Sequence, residues 1–127
     1  MNNKIKIAHL NIQSLKNKLL ELKNFILLQN IDIMCLNETF LVPSDKLEIP
    51  NYNVVRLDRP LRKGGGVCII IHHSIEFNRI NLDEINEEEI IIVEFLKITF
   101  VDEKLILASY YNAPNKSVNV SFLKKNL

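Results

Sequence analysis

Two different hydrophobic periods occupy the first part of the chain. Residues 4–10 alternate lysine with isoleucine before turning apolar, which predicts a β-strand. From Leu15 onward the apolar positions recur at steps of three and four residues, as in a helix that buries one face. This helix is predicted to have Ser14 as its N-cap and to end near Asn30. Its buried face is predicted to consist of Leu15, Leu19, Leu22 and Ile26.

A nearly continuous apolar run at residues 31–36 follows the helix. A strand with so few polar positions is typical of a parallel sheet that is covered on both faces. The strand–helix–strand order therefore predicts a parallel pair with a right-handed crossover, within an α/β layered domain.

Further strands are predicted in the rest of the chain. They fall at residues 52–57, 67–71, 74–80, 90–100 and 104–111, and the last two are predicted to form an antiparallel hairpin. Residues 81–89 predict an acidic loop, and residues 117–127 predict the first turns of a helix. One full helix cannot cover a sheet of six or seven strands, so residues 1–127 are expected to form a single partial domain, truncated at its C-terminus.

Composition narrows the class of protein. The 127 residues are 47% hydrophobic and carry a net charge of +1, which fits one domain with a buried core. A net charge of +1 excludes a histone-like nucleic-acid binder that is held mainly by electrostatic attraction. It does not exclude a nuclease, which needs only a local basic rim. No apolar run approaches the roughly 20 residues of a membrane span, and no secretory signal is evident. An intracellular protein without membrane contact is therefore expected.

The cysteines and histidines offer little chemistry in this pattern. Cys35 and Cys68 lie inside apolar runs and outside any Cys/His cluster, so two buried free thiols are expected rather than a disulfide or a zinc site. His72 and His73 follow a predicted strand with no carboxylate close by in sequence, which favours a turn over a base or metal ligand.

Polar residues follow the two strands that are predicted to pair in parallel. Asn11 follows the first strand and Glu38 follows the second, so both are expected at one sheet edge, where ligands of open α/β sheets gather. The Glu38 carboxylate suits Mg²⁺ or Mn²⁺ rather than zinc, and the Asn11 amide can orient a ligand or a phosphate oxygen. The alternative is that both residues only cap backbone groups at the strand ends.

Two more segments could reach the same edge. Tyr111 ends a predicted strand and could donate to a phosphate or a leaving oxygen, although one ring of the Tyr110–Tyr111 pair could simply fill the core. A basic, glycine-rich loop at residues 56–66 could contact a nucleic-acid backbone or could be a solvated connection. Its cations are Arg56, Arg59, Arg62 and Lys63.

The remaining acidic residues allow a simpler interpretation. The run of glutamates at residues 87–89 predicts a solvated turn. Glu94 interrupts an apolar strand, which fits either an outward-facing position or a supporting role near a site.

Four segments match the motifs of one protein family in order and spacing. They are His-Leu-Asn-Ile-Gln-Ser-Leu at 9–15, Ile-Asp-Ile-Met-Cys-Leu-Asn-Glu-Thr-Phe-Leu at 31–41, the stretch 59–67 ending Gly-Gly-Gly-Val, and Tyr-Asn-Ala-Pro at 111–114. Together they resemble the exonuclease–endonuclease–phosphatase superfamily. The sequences LNIQSL, LNETFL and GGGV within these motifs are most similar to those of the endonuclease domain of LINE-type (non-LTR, jockey-like) retrotransposon polyproteins.

The resemblance implies a four-layer α/β sandwich, two mixed sheets between helices, and Mg²⁺-dependent hydrolysis of a phosphodiester by an activated water. In the retroelements this reaction nicks chromosomal DNA to prime reverse transcription, which implies a nuclear protein that also carries a reverse transcriptase domain. By match to the motifs, Glu38 is implied as a ligand of Mg²⁺, or of Mn²⁺. Asn11 is implied to orient the metal shell or phosphate, and Tyr111 to hydrogen-bond the scissile phosphate.

The chain departs from the family pattern towards its C-terminus. It contains neither Gly-Asp-x-Asn nor Ser-Asp-His, and neither Ser117 nor Ser121 is followed by Asp-His. The aspartate that positions the nucleophile and the catalytic histidine are therefore missing, so this N-terminal half of an endonuclease is expected to be inactive alone. Two alternatives stay open. One is a decayed or truncated retroelement remnant without activity; the other is a phosphatase or phosphodiesterase of the same superfamily, such as one acting on phosphoinositides or sphingomyelin.

Overall fold

The structure, a computed structural model, describes residues 4–59, 64–81, 89–96 and 105–111. Within these ranges the chain forms seven strands and one α-helix, which is preceded by a 3₁₀ turn at Lys16–Lys18. In chain order the elements are β1 (Ile7–Asn11), α1 (Leu19–Leu28), β2 (Ile33–Asn37), β3 (Tyr52–Leu57), β4 (Val67–His72), β5 (Phe77–Arg79), β6 (Glu89–Phe95) and β7 (Leu105–Tyr111).

Four of the strands form a mixed sheet, sheet A, in the order β1-β2-β4-β3. β1 and β2 are parallel, with Ile7 opposite Ile33 and Asn11 opposite Asn37. β4 runs antiparallel to both of its neighbours. The predicted α/β class and the predicted parallel pair across the helix are therefore confirmed.

The other three strands form an antiparallel sheet, sheet B, in the order β5-β6-β7. β6 and β7 pair from Glu89 opposite Tyr111 to Phe95 opposite Leu105, as the predicted hairpin requires. The hydrophobic pattern alone suggested a single sheet, whereas the strands divide into two. The described part of sheet B is purely antiparallel, so it differs from the second mixed sheet that the resemblance implied.

The two central strands of sheet A, β2 and β4, are covered on both faces. Alternate residues of β2 and β4, such as Met34 and Ile70, face α1, while Ile33 and Ile69 face sheet B. Every residue of β2 is buried, and the first five residues of β4 are buried too. Burial of each large aliphatic side chain contributes about 1.5–3 kcal/mol, and this explains the uninterrupted apolar runs.

Helix α1 packs on sheet A through the face that the periodicity predicted. Leu22 and Ile26 are buried, and Leu15 before the helix and Leu19 at its start join the same cluster. The helix reaches Leu28, and Asn30 follows in the left-handed conformation at φ 52°, in agreement with the predicted end.

The predicted N-cap, Ser14, is wrong. An N-cap residue needs an extended backbone, whereas Ser14 has φ 83° and its N–H donates to the carbonyl of Glu38 at 3.0 Å. A 3₁₀ turn follows instead, and the N-cap of α1 is Lys18, whose side chain makes no capping hydrogen bond. The Lys18 ammonium donates to the carbonyls of Ile12 and Gln13 at 2.6 and 3.0 Å.

Several predicted boundaries are also corrected. β1 begins three residues after the predicted start, and β5 covers only three residues of the predicted strand 74–80. Glu89 begins β6 rather than ending an acidic loop. The predicted helix at 117–127 lies outside the described residues. No helix in the described part of the chain is long and apolar enough to cross a membrane.

Candidate active site

The carboxyl ends of β1 and β2 form one edge of sheet A. The parallel hydrogen bonding continues beyond both strands, because the N–H groups of residues 12, 14 and 15 donate to the carbonyls of residues 37, 38 and 39 at 2.9, 3.0 and 3.0 Å. Asn11 ends β1, and Glu38 comes directly after β2. The structure therefore brings Asn11 and Glu38 to the same edge, as the strand pattern predicted.

The backbone at this edge is strained. Glu38 and Phe40 have φ values of 56° and 57°, and Gln13 and Ser14 on the neighbouring segment have φ values of 47° and 83°. Residues with a side chain rarely occupy the left-handed region, and each such position costs on the order of 1–3 kcal/mol. Such strain persists only where the surrounding structure holds it, and it is concentrated at functional sites. The strain marks the segment that carries Glu38 as a candidate site.

Tyr111 approaches Glu38 from the other sheet. It is the last residue of β7, and its hydroxyl donates to Glu38 Oε1 at 3.1 Å. Burial raises the pKa of the Tyr111 phenol, and the hydrogen bond to Glu38 and the charge of that carboxylate raise it further. The phenol therefore keeps its proton at neutral pH and remains a donor.

Asn37 is a polar residue at this edge that the sequence analysis did not single out. It is 9% exposed, and its amide nitrogen donates to the carbonyl of Tyr110 at 3.4 Å. Its Oδ1 is buried and has no hydrogen-bond partner within the described part of the chain. A buried acceptor without a partner costs about 1–3 kcal/mol of stability. Binding of a hydrogen-bond donor or a cation to this oxygen would therefore be favourable. Its place beside Glu38 in the LNETFL segment was the available sequence signal.

An ion pair lies beside Tyr111 and joins the two sheets. Glu89 of sheet B accepts from Arg59 Nε at 3.1 Å and from Arg59 Nη2 at 3.0 Å, and its Oε1 also accepts from the N–H of Gly66 at 2.8 Å. The hydrogen bond to Glu89 raises the pKa of Arg59, and the nearby charge of Glu38 also contributes. The prediction of a solvated acidic turn is therefore wrong for Glu89, whose side chain is only 15% exposed.

The glycines before β4 pack against the segment that carries Glu38. The carbonyl of Gly65 accepts from the N–H of Phe40 at 3.0 Å. Gly66 has φ 93°, and a Cβ at this position would lie 2.3 Å from Thr39 Oγ1. Only glycine fits this combination of left-handed backbone and close approach.

Other sequence candidates are not part of this cluster. Arg56 lies in β3 and donates to Asp58 and to the carbonyls of residues 42 and 45, so it belongs to a structural network. His72 and His73 lie at the opposite end of sheet A, since Ile71 pairs with Ile33 at the start of β2. Arg62 and Lys63 lie outside the described residues, and Arg59 is the predicted nucleic-acid contact that the structure places near Glu38.

The two cysteines have the predicted character. Cys35 and Cys68 are free and buried. Burial raises the pKa of Cys35 to about 11 and that of Cys68 to about 12. Both are therefore protonated thiols at neutral pH and poor nucleophiles or metal ligands.

The oxygen atoms that could ligate a metal at the carboxyl edge of sheet A suit a hard divalent cation. Among the described residues there is no group of three or more His, Cys, Asp or Glu side chains that could hold a metal. The edge instead offers the Glu38 carboxylate, the unpaired amide oxygen of Asn37 and the amide of Asn11. Mg²⁺ commonly binds one or two protein carboxylates and keeps several waters, so this set fits Mg²⁺ or Mn²⁺ and does not fit zinc.

Fold and site together define an α/β layered domain with a carboxylate and a tyrosine meeting between two sheets. The chain belongs to the endonuclease/exonuclease/phosphatase family, whose sequence model matches residues 8–113. Members of this superfamily are typically dependent on a divalent metal. No curated protein matches the sequence.

Solved structures share the fold at low sequence identity. An AP endonuclease from Leishmania major is 17% identical with a TM-score of 0.68, over 84% of this chain and 40% of that one. An AP endonuclease from Archaeoglobus fulgidus is 18% identical with a TM-score of 0.50, over 72% and 37%. A 3′ phosphatase from Neisseria, bound to a product DNA hairpin, is 20% identical with a TM-score of 0.52, over 81% and 40%. The chain thus spans about two fifths of each of these proteins.

Proposed function

We propose that this chain supplies the N-terminal part of a divalent-metal-dependent phosphodiester hydrolase that acts on DNA. The observation that carries the proposal is the hydrogen bond of 3.1 Å from the Tyr111 hydroxyl to Glu38 Oε1. It brings a proton donor of sheet B to a carboxylate at the carboxyl edge of sheet A, in a family whose members are phosphoesterases and nucleases.

Each residue at the edge has a separate role in this proposal. Glu38 and Asn11 would hold Mg²⁺ or Mn²⁺, with the buried oxygen of Asn37 available as a further acceptor for its shell. A cation held there would supply positive charge to neutralise the phosphate and assist the leaving oxygen. Tyr111 keeps its proton, because burial raises its pKa, and when substrate is bound its single O–H would donate to a phosphate oxygen instead of to Glu38.

DNA is the proposed substrate because a cation, Arg59, adjoins this edge. Arg59 is held beside Tyr111 and Glu38, and Arg62 and Lys63 follow it closely in sequence. Cations placed in this way contact phosphates and position the nucleic acid without reading its sequence. Two of the similar structures are AP endonucleases, and the third is a phosphatase bound to DNA.

The proposed biological setting is a LINE-type retroelement. The support for it is the wording LNIQSL, LNETFL and GGGV in the sequence. In that setting the nuclease nicks chromosomal DNA, a reverse transcriptase domain extends the freed 3′ end, and the protein works in the nucleus.

We further propose that residues 1–127 are one partial domain that a C-terminal half completes. Among the described strands β1 lies at an edge of sheet A, with Ile7 47% and Leu10 44% exposed, and the chain spans only about two fifths of each similar structure. The chain also lacks the Gly-Asp-x-Asn and Ser-Asp-His segments. Loss of a general acid–base group alone costs about 10²–10⁴ in rate, so the chain alone is expected not to nick DNA.

The proposal is tested by metal binding and plasmid relaxation together. We expect Mn²⁺ to bind the chain with 1:1 stoichiometry and Glu38→Gln to weaken that binding at least about tenfold, because it removes the carboxylate. Glu48→Gln, an exposed glutamate outside the site, is the matched control. Mn²⁺ affinity that is equal in wild type and Glu38→Gln would refute the metal site. Robust Mg²⁺-dependent nicking by the chain alone would show that no further half is needed.

A second candidate activity within the family is removal of a 3′ phosphate from DNA. The similarity to a DNA-bound 3′ phosphatase favours it. The two substrates are separated by adding Mn²⁺ and comparing the affinity of the chain for a hairpin with a 3′ phosphate and for an abasic duplex. Preference for the 3′-phosphate hairpin would support the phosphatase, and preference for the abasic duplex would support the endonuclease.

A decayed remnant without activity makes a different prediction. A decayed sequence would not be expected to unfold cooperatively, whereas a chain with packed cores on both faces of sheet A would. A sharp two-state urea transition of the monomer would argue against the remnant.

A further inference from the structure

Glu89 makes more polar contacts near the site than its sequence context suggests. Its carboxylate accepts three hydrogen bonds, two from the Arg59 guanidinium at 3.1 and 3.0 Å and one from the N–H of Gly66 at 2.8 Å. It begins β6 of sheet B and lies directly opposite Tyr111 in the register with β7. Both of its partners belong to the connection between β3 and β4 of sheet A.

We propose that Glu89 is a positioning residue that fixes the geometry of the site around Glu38 and Tyr111. The inference rests on the proposed function, since it assigns to Glu89 the task of holding that site in its working arrangement. Neither Glu89 nor its ion pair contacts Glu38 directly in the hydrogen bonds described, so Glu89 acts through its partners.

The first part of the argument concerns Arg59. A guanidinium held by both oxygens of one carboxylate has its plane fixed, and this two-point contact engages Nε and Nη2. Nη1 is not used by Glu89. Fixing Arg59 in this way removes the rotamer freedom of a long side chain and keeps its charge beside Tyr111 and Glu38.

The second part concerns the glycine turn. The hydrogen bond from the Gly66 N–H to Glu89 holds the turn at Gly65 and Gly66 against sheet B. On its other side this turn accepts from the N–H of Phe40 at 3.0 Å and packs against Thr39, with no room for a Cβ at Gly66. Movement of the turn therefore moves the strained segment that carries Glu38.

The two parts together couple the sheets. Glu89 joins sheet B to the turn, the turn contacts residues 39 and 40, and Tyr111, opposite Glu89, reaches Glu38 across the same gap. Loss of Glu89 would free the turn and Arg59 at once. A residue that only closed the sandwich would change stability without changing how the folded protein binds a cation.

The test compares variants that keep the net charge with variants that do not. In Arg59→Gln/Glu89→Ala the charges cancel, so a through-space electrostatic effect leaves Mn²⁺ affinity unchanged. Under the positioning role we expect the dissociation constant for Mn²⁺, measured by electron paramagnetic resonance under folding conditions, to rise about tenfold, as it does when partners of metal ligands are lost. The Gly66 amide should also exchange with solvent faster in nuclear magnetic resonance spectra.

The single variant Glu89→Gln provides a second test in case the double variant does not fold. It preserves the side-chain volume and an oxygen for the Gly66 N–H, so a smaller rise in the dissociation constant is expected. Glu94→Gln, at the other end of the same strand, is the matched control and should bind Mn²⁺ like wild type. Wild-type affinity in both Glu89 variants, with Glu38→Gln still impaired, would overturn the positioning role alone. Wild-type affinity in Glu38→Gln would overturn the proposed function itself.

Discussion

Gly66→Ala tests whether the glycine turn is packed against the segment that carries Glu38. Gly66 has φ 93°, and an added Cβ would lie 2.3 Å from Thr39 Oγ1, far inside van der Waals contact. Thr39 is only 1% exposed, so its hydroxyl cannot move out into solvent. The substitution therefore combines a left-handed alanine with an overpacked contact.

The magnitude follows from these two contributions. A left-handed alanine costs about 1–2 kcal/mol and overpacking costs about 1–3 kcal/mol, so Gly66→Ala should lose about 2–5 kcal/mol of unfolding free energy. Gly64→Ala is the matched control, because Gly64 has φ 102° and the nearest atom to its added Cβ is Arg59 Nη1 at 3.2 Å. Because this neighbour is the far end of a flexible side chain and needs to move only slightly, the variant carries mainly the backbone contribution, about 1–2 kcal/mol.

Urea unfolding followed by circular dichroism measures the difference. With an m value of about 2 kcal/mol/M, Gly66→Ala should lower the midpoint by about 1–2.5 M and Gly64→Ala by about 0.5–1 M. Removing the clashing hydroxyl with Thr39→Ala should recover part of the loss, so the double variant should show a coupling of about 1–3 kcal/mol. Equal losses for the two glycine variants, or strict additivity with Thr39→Ala, would refute the packing described.

Two further predictions concern the core. Burial raises the pKa of the thiols of Cys35 and Cys68 to about 11 and 12. The folded state holds both thiol protons more tightly than the unfolded state does. The resulting contribution to folding stability is complete below the unfolded thiol pKa of about 8.5. It is lost as the pH rises towards the folded-state pKa values of the two thiols. We expect the unfolding free energy, measured by urea unfolding, to fall by up to about 1.4 kcal/mol per pH unit per thiol above about pH 9. Cys68→Ala should reduce this slope. Equal slopes for wild type and Cys68→Ala would contradict the prediction. Ile70→Ala, at a fully buried position facing α1, should lose about 2–5 kcal/mol, whereas Leu27→Ala, 73% exposed, should change stability by less than about 0.5 kcal/mol in the same assay.

The parts of the fold that depend on local hydrophobic pattern could be predicted from the sequence. The uninterrupted apolar runs that became β2 and β4 indicated strands buried on both faces, and the step of three to four residues gave the buried face of α1. The division into two sheets was not visible in the hydrophobic pattern, because a strand buried on both faces has the same pattern in either arrangement.

The site could be predicted in part for a related reason. Asn11 and Glu38 came to one edge because parallel strands end together, and this follows from the order of the elements. The role of Glu89 could not be predicted, because its partners Arg59 and Gly66 are 30 and 23 residues away in sequence and meet it only when sheet B packs on sheet A. Ser14 failed as an N-cap for a similar reason: its φ of 83° is not the extended backbone that a cap needs, and its N–H donates to the carbonyl of Glu38 on a segment distant in sequence.

The central claim is that a divalent cation binds at the carboxyl edge of sheet A, between Glu38, Asn11 and Tyr111. Nuclear magnetic resonance spectra of the ¹⁵N-labelled chain, titrated with substoichiometric Mn²⁺, test it most directly because the paramagnetic ion broadens the signals of nearby amides. The account predicts that the amides of residues 11, 37–39 and 111 broaden first and that Glu38→Gln abolishes this pattern while Glu48→Gln keeps it. Broadening centred elsewhere, or unchanged in Glu38→Gln, would contradict the account.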